Sequence, residues 1–266
     1  MTDFPGADAE IATAAYAIVG APLDVSTTFR PGARFGPERV RRFARSFDGY
    51  DRRTGLCFGD LVADAGDVTA WDDAAEYLRF LEGELEDHRE NGRLPLLLGG
   101  EHAVTAAGVR AADPDIYVCL DAHLDLYDAY AGNERSHATV TRRALETAEE
   151  AVLLGVRTGS EAEWARAAEA DVTVVEPDGV ASWEPTFDGD VYLSVDIDAA
   201  DPGFAPGTGT PAPFGLTPRE LRDIVRTVAP HAVGFDLVEV NDRDHGQAAA
   251  LAGKLLQEFV FAHADG

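Results

Sequence analysis

The segment IYVCLDAHLD at residues 116–125 joins an apolar run to three polar side chains at alternate positions, Asp121, His123 and Asp125. The run IYVCL is apolar throughout, which is typical of a strand buried on both faces of a sheet. Polar side chains at the end of a buried strand cost free energy unless they are paired. Because side chains two positions apart on extended backbone point the same way, we expect these three to face one common partner.

Seven further apolar runs alternate with longer amphipathic segments along the chain. This alternation predicts parallel strands joined by helical crossovers, and therefore a three-layer α/β/α sandwich with a mainly parallel sheet of about eight strands. We expect Pro37 and Pro218 in first helical turns and Thr217 as an N-cap. No linker or internal repeat divides the chain, so residues 1–266 are predicted to form one domain. The predicted strands are 14–20, 57–63, 94–99, 116–122, 151–156, 171–175, 191–197 and 232–240, and the predicted helices are 37–47, 74–91, 103–113, 137–150, 161–170, 217–229 and 246–261.

The charge of the chain is unusual. Lysine and arginine together number 22 against 48 acidic residues, which gives a formal net charge of −26, and Lys254 is the only lysine. Nucleic acid and anionic membranes are therefore excluded as partners, because their phosphates would be repelled. Acidic residues dispersed along the whole chain are typical of a protein that works in concentrated salt, and we expect a halophilic archaeon as the source.

The sequence predicts a cytoplasmic protein. The start, MTDFPGADAE, has no basic segment followed by an apolar one, as a secretory signal would. No apolar run approaches the roughly 18 residues of a membrane span. The two cysteines, Cys57 and Cys119, are too few for a disulfide scaffold and lie in apolar stretches, so we expect both to be reduced and buried.

Metal-capable side chains collect where the predicted strands end. In open α/β sheets the ligand site lies beyond the carboxyl ends of the strands, so these residues are expected to converge. They are Glu101 and His102 after 94–99, Asp121, His123 and Asp125 after IYVCL, Asp196 and Asp198 at the end of 191–197, and Glu239 at the end of the last strand.

The mixture of side chains predicts a divalent metal site. A D-x-H or D-x-D pattern alone is more typical of a surface loop or a helix cap, but three strand ends with matching ligand types favour metal. Imidazoles and carboxylates without thiolate suit Mn²⁺ better than structural zinc. Four clustered carboxylates exceed what one ion needs, so we expect two ions with a bridging hydroxide. The six predicted ligands are His102, Asp121, His123, Asp125, Asp196 and Asp198.

The segment GFAPGTGTP at residues 203–211 contains a G-x-G pattern, but it follows Asp-Pro and does not open a helix. A phosphate-binding loop is therefore not expected there, and a lid or wall beside the metals is.

Three motifs resemble the signature motifs of the ureohydrolases, the arginase/agmatinase family: GGEH (99–102), DAHLD (121–125) and SVDIDAADPGFAPGTGTP (194–211). The resemblance extends to residues 20–41, 62–68 and 236–240, and the wording is most similar to agmatinases. It implies two Mn²⁺ ions per subunit and a homotrimer or homohexamer. One ion would take His102, Asp121, Asp125 and Asp196, and the other Asp121, His123, Asp196 and Asp198, with Asp121 and Asp196 bridging.

The resemblance also implies catalytic residues. His137 matches the family histidine that assists proton transfer, Glu239 matches the acid that holds the guanidinium, and Asp121 completes the set as the bridging ligand. Two positions depart from the family pattern: Asn241–Asp242 stand where a proline commonly follows, and Ala138 stands where glycine is frequent.

The loop LYDAYAGNERSH at residues 126–137 is expected to select the substrate. Arginases carry a polar loop of the type N-T-P-L-T-T-x-S there, whereas this chain has Tyr127, Asp128, Tyr130 and Glu134. An aromatic and acidic pocket without a site for a carboxylate predicts a small cationic guanidino substrate, agmatine, cleaved to urea and putrescine by the metal-bridging hydroxide. Tyr127, Asp128, Glu134 and Glu239 are the predicted substrate contacts.

Other interpretations stay open. The chain could be a ureohydrolase acting on arginine, guanidinobutyrate, N1-aminopropylagmatine or formiminoglutamate. It could also be a non-catalytic, metal-binding paralogue, or a metal deacetylase of the same fold. The complete set of ligands argues against the paralogue, and the second carboxylate pair, Asp196 and Asp198, argues against the deacetylase.

Overall fold

The computed structural model describes residues 3–266, which form one eight-stranded sheet flanked by helices. The strand order is β2-β1-β3-β8-β7-β4-β5-β6, and every pairing is parallel. The predicted fold class is confirmed. The strands are β1 Tyr16–Ala21, β2 Val62–Asp67, β3 Leu94–Gly99, β4 Ile116–Leu120, β5 Glu150–Leu154, β6 Val172–Val175, β7 Val191–Asp196 and β8 Ala232–Val238.

Helices cover both faces of the sheet. The segments α1, α6 and α7 pack together on one face, and α2, α3 and α4 pack on the other. The helices are α1 Gly36–Phe43, α2 Ala74–Glu90, α3 Thr105–Ala112, α4 Val140–Ala144, α5 Glu161–Ala167, α6 Pro218–Val228 and α7 Gln247–Asp265.

The opening strand β4 shows why its sequence is apolar throughout. Val118 and Leu120 pack into the core that contains α6 and α7, whereas Tyr117 and Cys119 pack into the core on the other face of the sheet. Successive side chains of a strand point to opposite faces, so a strand covered on both sides has no position that suits a solvated side chain.

The helix-start predictions are confirmed. Thr217 accepts a hydrogen bond from the backbone of Glu220, whose carboxylate in turn accepts one from the Thr217 N–H, which forms a capping box with Pro218 in the first turn. Pro37 likewise lies in the first turn of α1. These local signals position α6 directly after the long loop 199–216.

Three sequence predictions are corrected by the structure. The strand predicted at 57–63 begins only at Val62, because Phe58–Asp60 form a 3-10 turn. The helix predicted at 137–150 is shorter, with a 3-10 turn over His137–Thr139 followed by α4. Both cysteines are free, but only Cys119 is buried, and Cys57 is exposed.

Within residues 3–266, none of the helices has the length and apolarity needed to cross a bilayer.

Candidate active site

Four neighbouring strands in the middle of the sheet carry the candidate site at their carboxyl ends. In the sheet their order is β3-β8-β7-β4. The residues that follow or end them are His102 after β3, Glu239 after β8, Asp196 at the end of β7 and Asp121 after β4. Because parallel strands place their carboxyl ends on one edge of the sheet, residues far apart in sequence meet there.

A close backbone approach sets the turn after β3. The Gly100 N–H donates to the carbonyl of Ala21, and the Glu101 N–H donates to the carbonyl of Leu23. A Cβ atom at Gly100 would lie 2.0 Å from the Leu23 carbonyl oxygen, so only glycine fits. This turn places His102 in the floor of the site, a name used here for the six predicted metal ligands His102, Asp121, His123, Asp125, Asp196 and Asp198.

The His102 ring is buried, and one of its nitrogens faces three carboxylates. The distances from His102 Nδ1 are 3.0 Å to Asp125 Oδ2, 3.2 Å to Asp121 Oδ2 and 3.5 Å to Asp196 Oδ2. Nevertheless, within the described residues Nδ1 has no hydrogen-bond partner. The four groups point toward a common centre instead of pairing with one another.

The other nitrogen of the His102 ring, Nε2, is hydrogen-bonded on the side away from the carboxylates. Ser194 Oγ lies 3.2 Å from Nε2 and donates its own proton to Asp236 Oδ1 at 2.6 Å. A hydroxyl has one proton, so Ser194 accepts from a protonated Nε2. In the neutral ring Nδ1 then carries the lone pair, and it is aimed among the three carboxylates. This is the tautomer that a metal ligand needs, with the outer hydrogen bond that commonly fixes it.

A second group lies around His123. Its Nδ1 is 3.1 Å from Asp198 Oδ2 and 3.4 Å from Asp121 Oδ1, and the three residues offer ligand atoms within 4.8 Å of one another. Asp121 therefore turns one oxygen toward His123 and the other toward His102. It lies between the two groups, as a bridging ligand must.

The buried carboxylates perturb one another. Burial, together with the charge of Asp121, raises the pKa of Asp125 to about 7. Burial and the charges of Asp198 and Asp121 raise the pKa of Asp196 well above its usual range. Burial also acts on Asp121, but the nearby imidazoles of His102 and His123 lower its pKa. Divalent cations would remove this repulsion, so the donor set fits two such ions.

Cys119 lies behind the site and is not a candidate ligand. Its Sγ is 3.9 Å from Nε2 of His102, the nitrogen that faces away from the carboxylates. Burial raises the pKa of the Cys119 thiol to about 11, so the thiolate that a metal would need is disfavoured.

Glu239 connects the floor of the site to the cavity above it. Its Oε1 accepts a hydrogen bond from the His102 N–H at 2.9 Å. Burial, with a contribution from the charge of Glu101, raises the pKa of Glu239 to about 8. Glu239 and Asp125 both have positive φ angles, 61° and 50°, which are costly for residues other than glycine and cluster at functional sites.

A cavity of about 260 Å³ opens above the carboxylates. Tyr127, Tyr130 and His137 form one wall, with ring centroids 5.3 Å apart between the tyrosines and 5.9 Å apart between Tyr130 and His137. Glu163 and Thr28 also line the cavity. The predicted contacts Tyr127 and Glu239 thus lie at this cavity.

Asp128 and Glu134, which were predicted as substrate contacts, do not line this cavity. The Asp128 side chain is 78% exposed and pairs with Arg143 and Arg142. Glu134 is exposed and lines a separate cleft beside Arg135. The loop turns between Tyr127 and His137, so only some of its side chains face the cavity. The acid that the sequence interpretation missed is Glu163, from the first turn of α5.

His137 lies at the cavity wall among hydroxyl groups. Its Nδ1 is 3.3 Å from Ser26 Oγ and 3.2 Å from Ser136 Oγ, and its Nε2 is 3.3 Å from Thr28 Oγ1. Burial is the largest cause that lowers the pKa of His137, to about 4. The ring is therefore neutral at physiological pH and able to accept a proton.

Comparisons with known proteins show the family of this chain. The sequence model of the arginase family matches residues 14–262. The chain belongs to the arginase family. An agmatinase of Pyrococcus horikoshii is 34% identical over 258 residues, which cover 93% of this chain and 91% of that protein. An N(1)-aminopropylagmatine ureohydrolase of Thermococcus kodakarensis is 35% identical over 266 residues, with 96% and 92% covered.

Solved structures of the family share the fold. The crystal structure of the agmatine ureohydrolase of Thermoplasma volcanium superposes with a TM-score of 0.91 at 31% identity, covering 100% of this chain and 95% of that chain. The resemblance identified from the three motifs is thereby confirmed, and the chain is an arginase-family hydrolase of the ureohydrolase type.

Asn241 is one of the residues after Glu239 that depart from the family pattern, and it makes two hydrogen bonds that hold this loop. Asn241 is buried, its backbone N–H donates to the Gly207 carbonyl, and its side chain donates to the Arg30 carbonyl. These two bonds tie the Glu239 loop to both long loops of the chain. A proline at position 241 would remove the first bond.

Several site residues of this arginase-family chain escaped the sequence interpretation. Ser26 and Thr28 occur in the segment 20–41 that carried the family resemblance, but no pattern places them beside His137. Asp236 looks like a polar interruption of an apolar strand, and its partner Ser194 is 42 positions away. Glu163 fits a capping box with Ser160, which explains it locally as a helix start.

Proposed function

We propose that this arginase-family chain is an agmatinase, one domain over residues 1–266 that hydrolyses agmatine to urea and putrescine with two Mn²⁺ ions. The observation that carries the substrate is the lining of the cavity. Among the described residues, no arginine or lysine lines it, whereas the acids Asp125, Asp196 and Glu239 do. Glu163 lines it as well, with its two oxygens accepting from Leu126 and Ser160. A substrate that is cationic at both ends fits such a wall, and a substrate with a carboxylate lacks a basic partner there.

The metal assignment rests on the geometry of the floor. His102, Asp125, Asp121 and Asp196 would hold one ion, and His123, Asp198, Asp121 and Asp196 the other. Two divalent ions, when bound, supply a water-derived nucleophile at neutral pH and stabilise the charge that develops on the substrate. The carboxylate-rich, thiolate-free donor set supports Mn²⁺.

Glu239 orients the substrate. A guanidinium is planar and donates parallel N–H bonds, which a carboxylate accepts in pairs. The His102 N–H already occupies one oxygen of Glu239, so the carboxylate is held in place before substrate arrives. This preorganisation places the guanidinium carbon above the metal-ligating carboxylates.

The aromatic wall holds the aliphatic chain of agmatine. Tyr127 and Tyr130 meet edge to face at 5.3 Å and offer apolar area to four methylene groups. Their ring faces also attract a terminal ammonium group. Water is displaced from this part of the cavity when the chain packs against them.

His137 moves the proton that the leaving amine needs. The amine of putrescine departs only when its nitrogen is protonated, and a histidine at the cavity wall is suited to that step. The neutral ring takes up the proton released by the attacking water and passes it to the leaving nitrogen.

The test is a urea-release assay on Mn²⁺-loaded protein in high salt, with agmatine, arginine, guanidinobutyrate and N1-aminopropylagmatine compared in parallel. We expect the highest kcat/KM with agmatine, and equimolar urea and putrescine. Arginine or guanidinobutyrate as the preferred substrate would contradict agmatine but keep the ureohydrolase assignment. Bound metal without urea from any compound would contradict the activity itself and favour the non-catalytic paralogue.

A cytoplasmic location, a halophilic host and a homotrimeric or homohexameric assembly are part of the same proposal. The net charge of −26 supports the host. The molar mass in solution, measured by light scattering, tests the assembly against a subunit mass of 28.4 kDa.

A further inference from the structure

We propose that Glu101 is a positioning residue that sets the tautomer of His137 through Ser26, so that Nδ1 carries the proton and Nε2 is the nitrogen that exchanges protons with the reaction. The importance of this tautomer for turnover rests on the proposed function, but the tautomer itself follows from the hydrogen bonds.

Glu101 is fully buried and points away from the metal-ligating carboxylates, toward the loop 24–32. Its Oε2 accepts from the Ser26 N–H at 2.6 Å, from the Thr27 N–H at 3.0 Å and from Thr27 Oγ1 at 3.3 Å. Its Oε1 accepts from Ser26 Oγ at 2.8 Å. One carboxylate therefore orders this loop, and these bonds oppose the rise that burial causes in the pKa of Glu101.

The direction of each bond at Ser26 is decided by counting protons. The Ser26 hydroxyl has one proton, and a buried carboxylate is the strongest acceptor in reach, so the proton points to Glu101. The remaining lone pairs of Ser26 Oγ face His137. One accepts from the His137 backbone N–H at 2.9 Å, and the other lies 3.3 Å from Nδ1.

An oxygen without a free proton can meet Nδ1 only as an acceptor. Nδ1 is therefore the protonated nitrogen of the neutral His137 ring, and Ser136 Oγ at 3.2 Å is a second acceptor for the same N–H. Nε2 then carries the lone pair and accepts from Thr28 Oγ1 at 3.3 Å. The hydroxyls of Ser26 and Ser136 lie at Nδ1 and that of Thr28 lies at Nε2, and the bond from Ser26 to Glu101 selects Nδ1 as the protonated nitrogen.

Glu101 also connects this arrangement to the floor of the site. It is the residue directly before His102, and its backbone N–H donates to Leu23 beside the same loop. Ser26 is 75 positions from Glu101 and 111 from His137, so three separate segments of the chain meet at one hydroxyl.

The test uses Glu101→Gln, which keeps the shape of the side chain and reverses one bond. The amide oxygen still accepts from the Ser26 and Thr27 N–H groups, while the amide nitrogen donates to Ser26 Oγ and frees the serine proton to point at Nδ1. Ser26→Ala removes the connection and leaves Glu101 intact, and Ser26→Thr, which keeps the hydroxyl, is the matched control.

The first readout is the nitrogen NMR spectrum of the full chain labelled with [¹⁵N]histidine and loaded with Mg²⁺, with His137 assigned by loss of its signals in His137→Gln. We expect a single Nδ1–H tautomer in the parent and in Ser26→Thr, and a mixture of tautomers or the Nε2–H form in Glu101→Gln and Ser26→Ala. An Nε2–H form in the parent, or an unchanged tautomer in both variants, would overturn the proposal.

The second readout is steady-state kinetics with the metal content measured on the same samples. We expect kcat in Glu101→Gln and Ser26→Ala to fall about 10- to 100-fold, as for other outer hydrogen-bond partners, with KM and metal content close to the parent. Loss of metal with a parent-like tautomer would show a purely structural role and contradict the assignment. Because the spectra need no substrate, a chain that releases no urea at all would refute the proposed function and leave the tautomer result standing.

Discussion

Glu239 Oε1 accepts a hydrogen bond from the backbone N–H of His102 at 2.9 Å, although the two residues are 137 positions apart. The residue proposed to hold the guanidinium is thus attached directly to a residue proposed to hold a metal ion. This attachment fixes the height of the substrate above the floor, and it explains why a strained backbone at Glu239, with φ of 61°, is maintained.

The substitution Glu239→Gln removes the carboxylate of this residue but keeps the shape and position of its side chain. The amide oxygen still accepts from the His102 N–H, but the charge-assisted bonds to a guanidinium are lost. Such bonds contribute about 1.5–3 kcal/mol, so kcat/KM for agmatine should fall roughly 10- to 100-fold. Steady-state kinetics with metal analysis checks this, and a parent-like kcat/KM at full metal occupancy would exclude Glu239 from substrate binding.

Substitutions at Asp121 and at His137 should have different effects on the metal content of the protein. Asp121 turns one oxygen to each histidine of the floor, so Asp121→Asn should lower activity by more than about 100-fold, beyond the effect of outer-shell substitutions, and release metal. His137→Ala removes a wall residue and should abolish most activity while both ions stay bound. Full metal and activity in Asp121→Asn would contradict its bridging position.

We expect that replacing Asp128 does not change the kinetics of the protein. Its side chain is 78% exposed and pairs with arginines outside the cavity, and exposed ion pairs contribute little. Asp128→Asn should therefore leave kcat, KM and the preference for agmatine over arginine within about twofold of the parent. Tyr127→Ala, which removes a cavity wall, is the comparison and should raise KM. A changed preference in Asp128→Asn would return that residue to the substrate site.

His263 should make stability depend on pH. Tyr16 donates to its Nδ1 at 2.7 Å and its Nε2 donates to the Ala232 carbonyl at 3.0 Å, so the neutral ring is fully paired. Burial lowers the pKa of His263 below 6.5. The unfolded chain then binds a proton first, and stability falls as the pH drops from about 6.5 to the folded pKa.

In His263→Gln this dependence should flatten by up to one proton over the same window. Denaturant unfolding at a series of pH values, at fixed salt and protein concentration, measures the slope. An identical slope in the parent and the variant would contradict the buried neutral ring.

Arg41 should be important for stability and not for catalysis. It is fully buried and pairs with both Asp64 and Asp67. Replacing it by methionine leaves two carboxylates without their partner, which should cost about 3–5 kcal/mol of unfolding free energy. Arg42→Met, at the exposed neighbouring position, is the control and should change stability by less than about 0.5 kcal/mol. Equal stability of the two variants would contradict this account.

The same ion pairs show where sequence patterns stop predicting the fold. The central strands were predictable because apolar runs covered on both faces have few alternatives. The edge strand β2 was misplaced, because its residues Asp64 and Asp67 look like a loop until Arg41 from α1 is placed beside them. The pairing of polar groups across the chain carries no local signal.

Part of the candidate site could likewise be predicted from the sequence, and part of it could not. The candidate ligands could be predicted because strand ends converge and two-residue spacing aligns side chains. The substrate loop could not, since a turn decides that Tyr127 faces the cavity and Asp128 faces solvent. Glu101 was visible at a strand end, but its role depends on Ser26 and His137, which only the folded chain brings together.

Anomalous diffraction at the manganese edge from Mn²⁺-loaded crystals would show whether the proposed site holds two metal ions with Asp121 between them. We expect two peaks per chain, one beside His102 and Asp125 and one beside His123 and Asp198, both within reach of Asp121. A single peak, or peaks away from these residues, would refute the two-metal site.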